Sequence, residues 1–190
     1  MQLCTRVAAV FQDYLQLDLS AAENIGVGDI EHLNDRARIV AAAREAGAHD
    51  DLDRLPKGYD TLLSRMFLDS ADEDDPETGV FLSGGQGQRV AIARAMFRGD
   101  RDLLVLDEPS SGLDATAEHT IHARLREHRK GRTSLLISHR LNTTRDADRI
   151  AVLQDGRIAE LGPHDVLMSE NGRYAEMFSL QASGYLETGR

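Results

Sequence analysis

Cysteine, lysine and long apolar runs are scarce in this 190-residue sequence. The single cysteine, Cys4, cannot form an internal disulfide, and so low a cysteine content is typical of a reducing compartment. No apolar run approaches the roughly 18 residues that a membrane-spanning helix needs, and the N-terminus does not resemble a signal peptide. These absences argue against a disulfide-stabilised secreted domain and against a membrane span, and we expect a soluble intracellular protein.

Positive charge is also in deficit. Acidic residues number 32 and basic residues 22, which gives a formal net charge of -10 at pH 7. This balance disfavours a nucleic-acid partner, because such partners are held largely by Lys and Arg contacts to phosphate. Only two of the basic residues are lysines, Lys57 and Lys130. The hydrophobic content of 41% can support the core of one domain, or of a domain with a small lobe.

Hydrophobic patterning predicts an α/β fold. The predicted strands are 6–11, 103–107, 133–138, 149–153 and 157–161. The first three are continuous apolar runs, which is typical of parallel strands that are covered on both faces. The last two flank Asp155-Gly156, a strong signal for a hairpin turn.

The stretch between the first two strands is predicted to be mainly helical. It opens with Ser20-x-x-Glu23, a capping-box pattern, and includes a helix over 35–47. Residues 69–77 hold six carboxylates, which we interpret as a solvated acidic loop. Near the C-terminus the pattern again predicts a helix, centred on 172–181.

Residues 82–86, LSGGQ, combine two glycines with a predicted helix start. Gly84 and Gly85 lie between Ser83 and a helix that we expect to begin near Gln86. Glycines let a ligand approach the backbone, and a helix N-terminus offers unpaired N–H groups and the positive end of the helix dipole. The segment therefore fits an anion such as phosphate, with the Ser83 hydroxyl as a further donor. A plain turn into a helix would have the same pattern.

Polar side chains follow three of the predicted strands. Asp107 and Glu108 come at the carboxyl end of the buried run LLVL, the end at which open α/β sheets bind ligands. Two adjacent carboxylates there suit a cation and an oriented water molecule. His139 follows the next strand and Gln12 follows the first, so we expect all four side chains at one sheet edge.

These segments, in this order, resemble the motifs of the ATP-binding-cassette (ABC) ATPases. LSGGQ is identical to the signature motif of that family. Four further segments are similar to its Q-loop, Walker B motif, D-loop and switch-histidine segment, in that order: AAVFQD (8–13), LLVLDEP (103–109), SSGLDA (110–115) and LLISHR (135–140). The resemblance covers residues 6–181, and residues 154–178 resemble the tail of exporter-type members.

The resemblance implies roles for the residues at the sheet edge, with ATP and Mg²⁺ as cofactors. Asp107, with Gln12, would hold the Mg²⁺ ion, and Glu108 would polarise the attacking water. His139 would contact the γ-phosphate of ATP. Gln12 would sense that phosphate and link the site to a transmembrane partner.

The signature motif is implied to act in trans. Ser83, Gly84, Gly85 and Gln86 would close over ATP held by a second ABC ATPase subunit, and Asp114 would lie at the seam of this head-to-tail dimer. The implied partners are therefore a second ATPase subunit and a transmembrane transporter domain. Such a protein would be cytoplasmic and peripheral to the membrane.

One motif of the family is missing from the sequence. The phosphate-binding loop, GxxxxGK[ST], needs a lysine directly after glycine, whereas Lys57 follows Pro56 and Lys130 follows Arg129. In the family this Walker A loop precedes the Q-loop, and here the chain starts a few residues before Gln12. We therefore expect an N-terminally truncated chain that is not catalytically competent alone.

The expected fold is a P-loop-NTPase-like, mainly parallel sheet with flanking helices, lacking its N-terminal part, plus a helical signature subdomain. Residues 1–19 are predicted to be the Q-loop strand and loop of the ATPase core. Residues 20–99 would form the helical subdomain that ends in the signature helix, and 100–190 the C-terminal part of the core.

Two alternatives stand beside an exporter ATPase. The chain could be a non-catalytic partner that donates LSGGQ to an intact subunit, because the motif that acts in trans is the one that is complete. It could also be a non-transport ABC ATPase of chromosome maintenance or DNA repair, although such proteins carry coiled-coil flanks and basic faces that this sequence does not have. The sequence does not identify a transported substrate.

Overall fold

The computed structural model describes residues 6–64, 79–99, 101–113 and 115–187. Cys4, the acidic stretch 69–77 and Asp114 lie outside these described residues. The chain divides into two compact units, 1–137 and 138–190.

The first unit is built from three strands and five α-helices in its described part. The strands are β1 (Val7–Val10), β2 (Leu103–Asp107) and β3 (Thr133–Ile137). The α-helices are α1 (Ala21–Gly26), α2 (Arg36–Ala46), α3 (His49–Asp53), α4 (Gly84–Phe97) and α5 (Ala115–His128), with short 3₁₀ turns at Ile30–His32 and Gly58–Asp60.

The three strands form a parallel sheet in the order β1-β2-β3, with β2 in the centre. Val10 pairs with Leu106, and Asp107 pairs with Ile137, so all three strands end at nearly the same level. The parallel sheet and flanking helices predicted from the apolar runs are confirmed. Because the carboxyl ends of the strands share one edge, the residues that follow them are brought close in space.

The helices of this unit share one hydrophobic core with β1 and β2. Helix α4 packs against α1 and α2 and also contacts β1. Ile25, Ile39 and Ile92, one from each of these helices, are almost fully buried. The caps follow the sequence signals: Ser20 and Glu23 form the expected capping box, and Gly47 ends α2 in the left-handed conformation.

Strand β3 is the exposed edge of the sheet. Leu135 is 51% exposed and Ile137 46% exposed, whereas Leu136 packs against the core. Beyond β2, this strand has no strand partner within the described residues. The apolar sequence of β3 predicts that other segments cover both faces of the strand. Within the described residues, β3 is not covered in this way. An apolar edge without charge, bulge or proline is a place where further strands can pair.

The second unit contains a hairpin and three helices in its described part. These are α6 (Leu141–Thr144), β4 (Ile150–Gln154), β5 (Arg157–Gly162), α7 (His164–Ser169) and α8 (Arg173–Glu187). Strands β4 and β5 are antiparallel, and Asp155 and Gly156 turn between them with φ of 50° and 73°. Two successive positive φ values are those of a tight hairpin turn, as the sequence predicted. Val152, Leu167 and Tyr174 belong to the separate core of this unit.

Across the described helices, none has both the length and the apolar character that crossing a bilayer requires.

Replacing Leu135 with lysine should reduce self-association of the chain and change the free energy of unfolding by no more than about 0.5 kcal/mol, because a charge on an exposed edge opposes strand pairing. Leu136→Lys is the matched control. Leu136 packs against the core, so a lysine there should destabilise the chain by roughly 2 kcal/mol or more. Light scattering measures self-association and urea unfolding measures stability. If the wild type and Leu135→Lys self-associate equally, copies of the chain do not associate through this edge.

Candidate functional site

The carboxyl ends of β1 and β2 carry the polar residues of two predicted motifs. Gln12 follows β1 by two residues, and Asp107 is the last residue of β2. Because these strands are parallel neighbours in register, the backbones of the two residues lie at the same sheet edge. Gln12 is exposed and Asp107 is half-buried. Carboxylate and amide oxygens are ligands that Mg²⁺ accepts, together with phosphate oxygens and water.

Glu108 has an unusual backbone conformation. Its φ is 47°, in the left-handed region that non-glycine residues rarely adopt, and only 8% of the residue is exposed. The conformation is fixed on both sides: its N–H donates to the carbonyl of Ile137 at 3.0 Å, and its carbonyl accepts from the N–H of Ser111 at 3.1 Å. Such a backbone costs about 1–3 kcal/mol and persists where the surroundings impose it, commonly at functional sites.

The turn after β2 is attached to two helices. The Gln88 amide of α4 donates to the carbonyl of Pro109 at 3.0 Å, and the Ser110 hydroxyl donates to Glu118 of α5 at 3.2 Å. The His122 ring also lies 3.2 Å from that hydroxyl. Gln88 and Ser110 are almost fully buried. Sequence reasoning missed these contacts, because nothing in a one-dimensional pattern pairs a helix glutamine with a distant turn.

Helix α4 begins at Gly84, two residues before the start expected from the sequence. Ser83 is the N-cap: its hydroxyl oxygen accepts from the Gln86 N–H at 3.3 Å, and the Gln86 side-chain oxygen accepts from the Ser83 N–H at 3.0 Å. Ser-x-x-Gln is itself a capping-box pattern, like Ser20-x-x-Glu23, and it is the sequence signal that marks this helix start. The two glycines are therefore the first two helical residues and not a loop ahead of the helix.

This helix start is consistent with the anion site predicted from the sequence, which stays a prediction. Gly84 and Gly85 are in the first turn, where backbone N–H groups have no intrahelical acceptor. Gly84 is exposed, and a side chain placed on it would meet nothing within 4 Å. The Ser83 hydroxyl accepts the capping bond and can still donate its own hydrogen. Three potential donors are thus present at the positive end of the helix dipole.

The segment after Gln12 is bound to α4 through Arg94. This guanidinium donates to the carbonyl of Leu15 at 3.0 Å, to the carbonyl of Asn24 at 2.6 Å and to the side-chain oxygen of Asn24 at 3.0 Å. Burial lowers the pKa of Arg94 from its ordinary value. The bonds join the stretch that carries Gln12 to the helix that carries the signature motif.

His139 belongs to the second unit and is exposed. The Gln181 amide of α8 donates to the His139 carbonyl at 2.8 Å and accepts from the Leu141 N–H at 2.7 Å, so α8 fixes the backbone beside this histidine. Its convergence with the other site residues stays a prediction. Asp114, expected at a dimer seam, lies outside the described residues.

The sequence model of the ABC transporter family matches residues 2–111. The chain is 43% identical, over 176 residues, to the ATP-dependent lipid A-core flippase of Chromohalobacter salexigens, covering 93% of this chain and 28% of that protein. It is 41% identical, over 180 residues, to the cyclolysin secretion/processing ATP-binding protein CyaB of Bordetella pertussis, covering 93% of this chain and 23% of that protein.

A bacterial Atm1-family ABC exporter solved with ATP bound is similar in structure, with a TM-score of 0.80 and 38% sequence identity. The similarity covers 94% of this chain and 28% of that one. The chain therefore spans less than a third of the length of the flippase, of CyaB and of this exporter.

Ser83→Ala should lower the free energy of unfolding by about 1 kcal/mol, because the capping oxygen is lost. Ser83→Asp, the matched variant, should stay within about 0.5 kcal/mol of wild type, because aspartate is an equally good N-cap. Urea unfolding followed by circular dichroism measures both. An alanine variant as stable as wild type would mean that the capping box does not support α4.

Proposed function

Because the chain belongs to the ABC transporter family, we propose that it forms part of the ATPase domain of an ABC exporter and takes part in binding and hydrolysing MgATP. One observation carries the proposal. The parallel pairing of β1 and β2 brings the carboxyl ends of these strands to one sheet edge, which supports a shared site for Gln12, Asp107 and Glu108, and the capped, glycine-rich start of α4 supports a separate anion site. The first group suits the metal and water chemistry of hydrolysis, and the second suits a phosphate.

In this proposal Asp107 and Gln12 bind the metal at the sheet edge. Mg²⁺ would supply charge neutralisation at the phosphates. Glu108 orients the attacking water and accepts its proton, a role that its buried, conformationally fixed position supports. For His139 we propose contact with the γ-phosphate, the role that the family resemblance implies.

The signature helix acts on ATP bound by another chain. The N–H groups of Gly84 and Gly85 and the hydroxyl of Ser83 donate to the γ-phosphate, assisted by the dipole of α4, and Gln86 keeps the serine in place through the capping box. For Asp114, which lies outside the described residues, we propose a role at the seam of the resulting head-to-tail dimer. Each ATP is then shared between two subunits, and its binding holds them together.

The phosphate-binding lysine has to come from outside these 190 residues. Lys57 and Lys130 both follow non-glycine residues, so neither belongs to a GxxxxGK[ST] loop. A P-loop supplies the backbone cradle and the lysine for the β- and γ-phosphates. We therefore expect the chain alone to bind MgATP weakly.

The proposed partners are a second ATPase subunit and a transmembrane transporter domain, at the cytoplasmic face of a membrane. The names of the relatives support a transport role, since they include a flippase, a secretion protein and an exporter. The net charge of -10 gives no support to a nucleic-acid partner.

A second candidate function is donation of LSGGQ in trans without hydrolysis by this chain's own residues. The observation that favours it is the contrast between a fully formed capping box at Ser83 and Gln86 and the absent P-loop lysine. The two candidates differ in whether Glu108 is used.

The trans role can be tested with an acceptor domain, defined as an exporter ATPase domain with an intact GxxxxGK[ST] loop whose own signature serine is replaced by aspartate. Mixed with this chain, the acceptor domain should associate in MgATP and not in MgADP, as measured by analytical ultracentrifugation. Ser83→Asp in this chain should weaken association by at least about ten-fold, because a carboxylate would face the γ-phosphate.

Since Ser83→Asp preserves the helix cap, misfolding does not explain such a loss, and the urea unfolding above is its control. MgATP-independent association, or wild-type and Ser83→Asp chains that associate equally, would contradict the trans role. Calorimetry of the chain without the acceptor domain should show no micromolar MgATP binding.

The catalytic role can be tested by fusing the strand and GxxxxGK[ST] segment of an exporter ahead of residue 6. In this fusion, Glu108→Gln should reduce ATP turnover by about 10²–10⁴-fold and preserve ATP binding, because the amide keeps the shape of the side chain but cannot accept a proton. Glu127→Gln, the same change at a side chain that is 78% exposed, is the control and should not alter turnover.

Phosphate release and nucleotide filter binding measure the two quantities. Unchanged turnover in the Glu108→Gln fusion would assign the base to another residue. A wild-type fusion that binds ATP without hydrolysing it would favour the non-catalytic candidate.

A further inference from the structure

We infer that Tyr14 is a positioning residue for the signature motif, which holds the glycine-rich first turn of α4 against the segment that carries Gln12. The Tyr14 hydroxyl donates to the carbonyl of Gly84 at 2.8 Å, and its half-buried ring packs against the core. This contact joins residues 70 positions apart in the chain. The inference extends the proposed function, and its test with a second ATPase subunit rests on that function.

The first turn of α4 needs support from outside the helix. Three of its first four residues are glycines, Gly84, Gly85 and Gly87. Glycine is the weakest helix former after proline, because it loses the most backbone freedom on ordering. The N–H groups proposed to bind phosphate therefore sit on an intrinsically weak turn. A carbonyl oxygen has two lone pairs, so Gly84 can accept from Tyr14 in addition to its bond within the helix.

The glycine at position 87 is explained by Tyr14. A side-chain carbon added to Gly87 would lie 2.6 Å from the Tyr14 hydroxyl oxygen and 2.9 Å from a carbon of its ring. It would also lie 2.7 Å from the Gln16 amide nitrogen, which is the end of a flexible side chain. Gly87 is thus the place where the tyrosine approaches the helix too closely for any larger residue.

The contact also connects two segments that are proposed to act on ATP, the segment that carries Gln12 and the first turn of α4. Tyr14 is two residues after Gln12, and its neighbour Leu15 is held by Arg94 on the same helix. Tyr14 therefore bonds to the first turn of α4 and Arg94 anchors the same segment nearly three turns further along. A displacement of the segment at Gln12 has to move the signature turn with it or break the hydroxyl bond.

Amide hydrogen exchange of the 190-residue chain tests the positioning role without a partner. Tyr14→Phe should accelerate exchange at Gly87 and Gln88, which close the first turn, by about 3- to 10-fold, the net worth of one hydrogen bond. Tyr59→Phe is the matched control, because its hydroxyl bonds to His49 and not to α4. Unchanged exchange in the Tyr14→Phe variant would overturn the inference.

Gly87→Ala gives the sharper test, because the two explanations predict opposite results. If Gly87 were only a weak helix residue, alanine would strengthen the helix and slow the exchange of the first turn. If Tyr14 holds this turn, alanine at position 87 displaces the tyrosine, and amide exchange in the first turn becomes faster. The double variant Tyr14→Phe/Gly87→Ala should then exchange no faster than the faster of the two single variants, because both substitutions remove the same hydrogen bond. Slower exchange in Gly87→Ala contradicts the inference.

The acceptor domain then tests whether the position matters for binding. In MgATP, Tyr14→Phe should raise the half-saturating concentration of acceptor domain by about 3- to 10-fold, since less of the chain holds a binding-competent turn. If Tyr14→Phe accelerates amide exchange in the first turn but leaves association with the acceptor domain unchanged, Tyr14 only stabilises the helix and the inference is wrong. If the wild-type chain does not associate at all, the proposed function fails, while the exchange measurements still decide whether Tyr14 holds the turn.

Discussion

The parallel pairing of β2 with β1 and β3 is the interaction on which the rest of the first unit depends. It sets the ends of the three strands at one level and so determines which side chains can meet at the sheet edge. It also extends into the turn after β2, because the N–H of Glu108 continues the ladder to Ile137. The hydrogen bonds of a regular sheet thus stabilise the strained backbone at Glu108. The turn beyond it is bonded to α4 through Gln88 and to α5 through Ser110.

Much of this arrangement could be read from the sequence, because local signals and the fold agree. The apolar runs gave the strands, the Asp155-Gly156 pair gave the hairpin, and Ser20 and Gly47 marked helix ends. The two glycines suggest a loop and predict the start of α4 two residues too late, whereas the Ser83–Gln86 capping box begins the helix at Gly84. The ABC family was identified from short motifs alone, and the comparisons with known proteins agree with it.

The remainder depends on pairs of residues that are far apart in the chain. A single contact between two distant residues produces no periodic pattern in the sequence. Three such contacts are those of Tyr14 with Gly84, Arg94 with Leu15 and Gln88 with Pro109. The exposure of β3 differs from the predicted burial for a related reason. A strand's composition reports the environment it is suited to, whereas its exposure depends on which other segments are present beside it.

The long connection between β1 and β2 has a consequence for the order of folding. Val10 and its partner Leu106 are separated by 96 positions (106 minus 10), so closing this loop in a disordered chain would cost about 4 kcal/mol of entropy. Helices α1, α2 and α4, which fill the connection and pack on one another, shorten the effective loop if they form first. The sheet edge at which the proposed catalytic groups lie is then a late product of folding, and the helical segment is the template on which it closes.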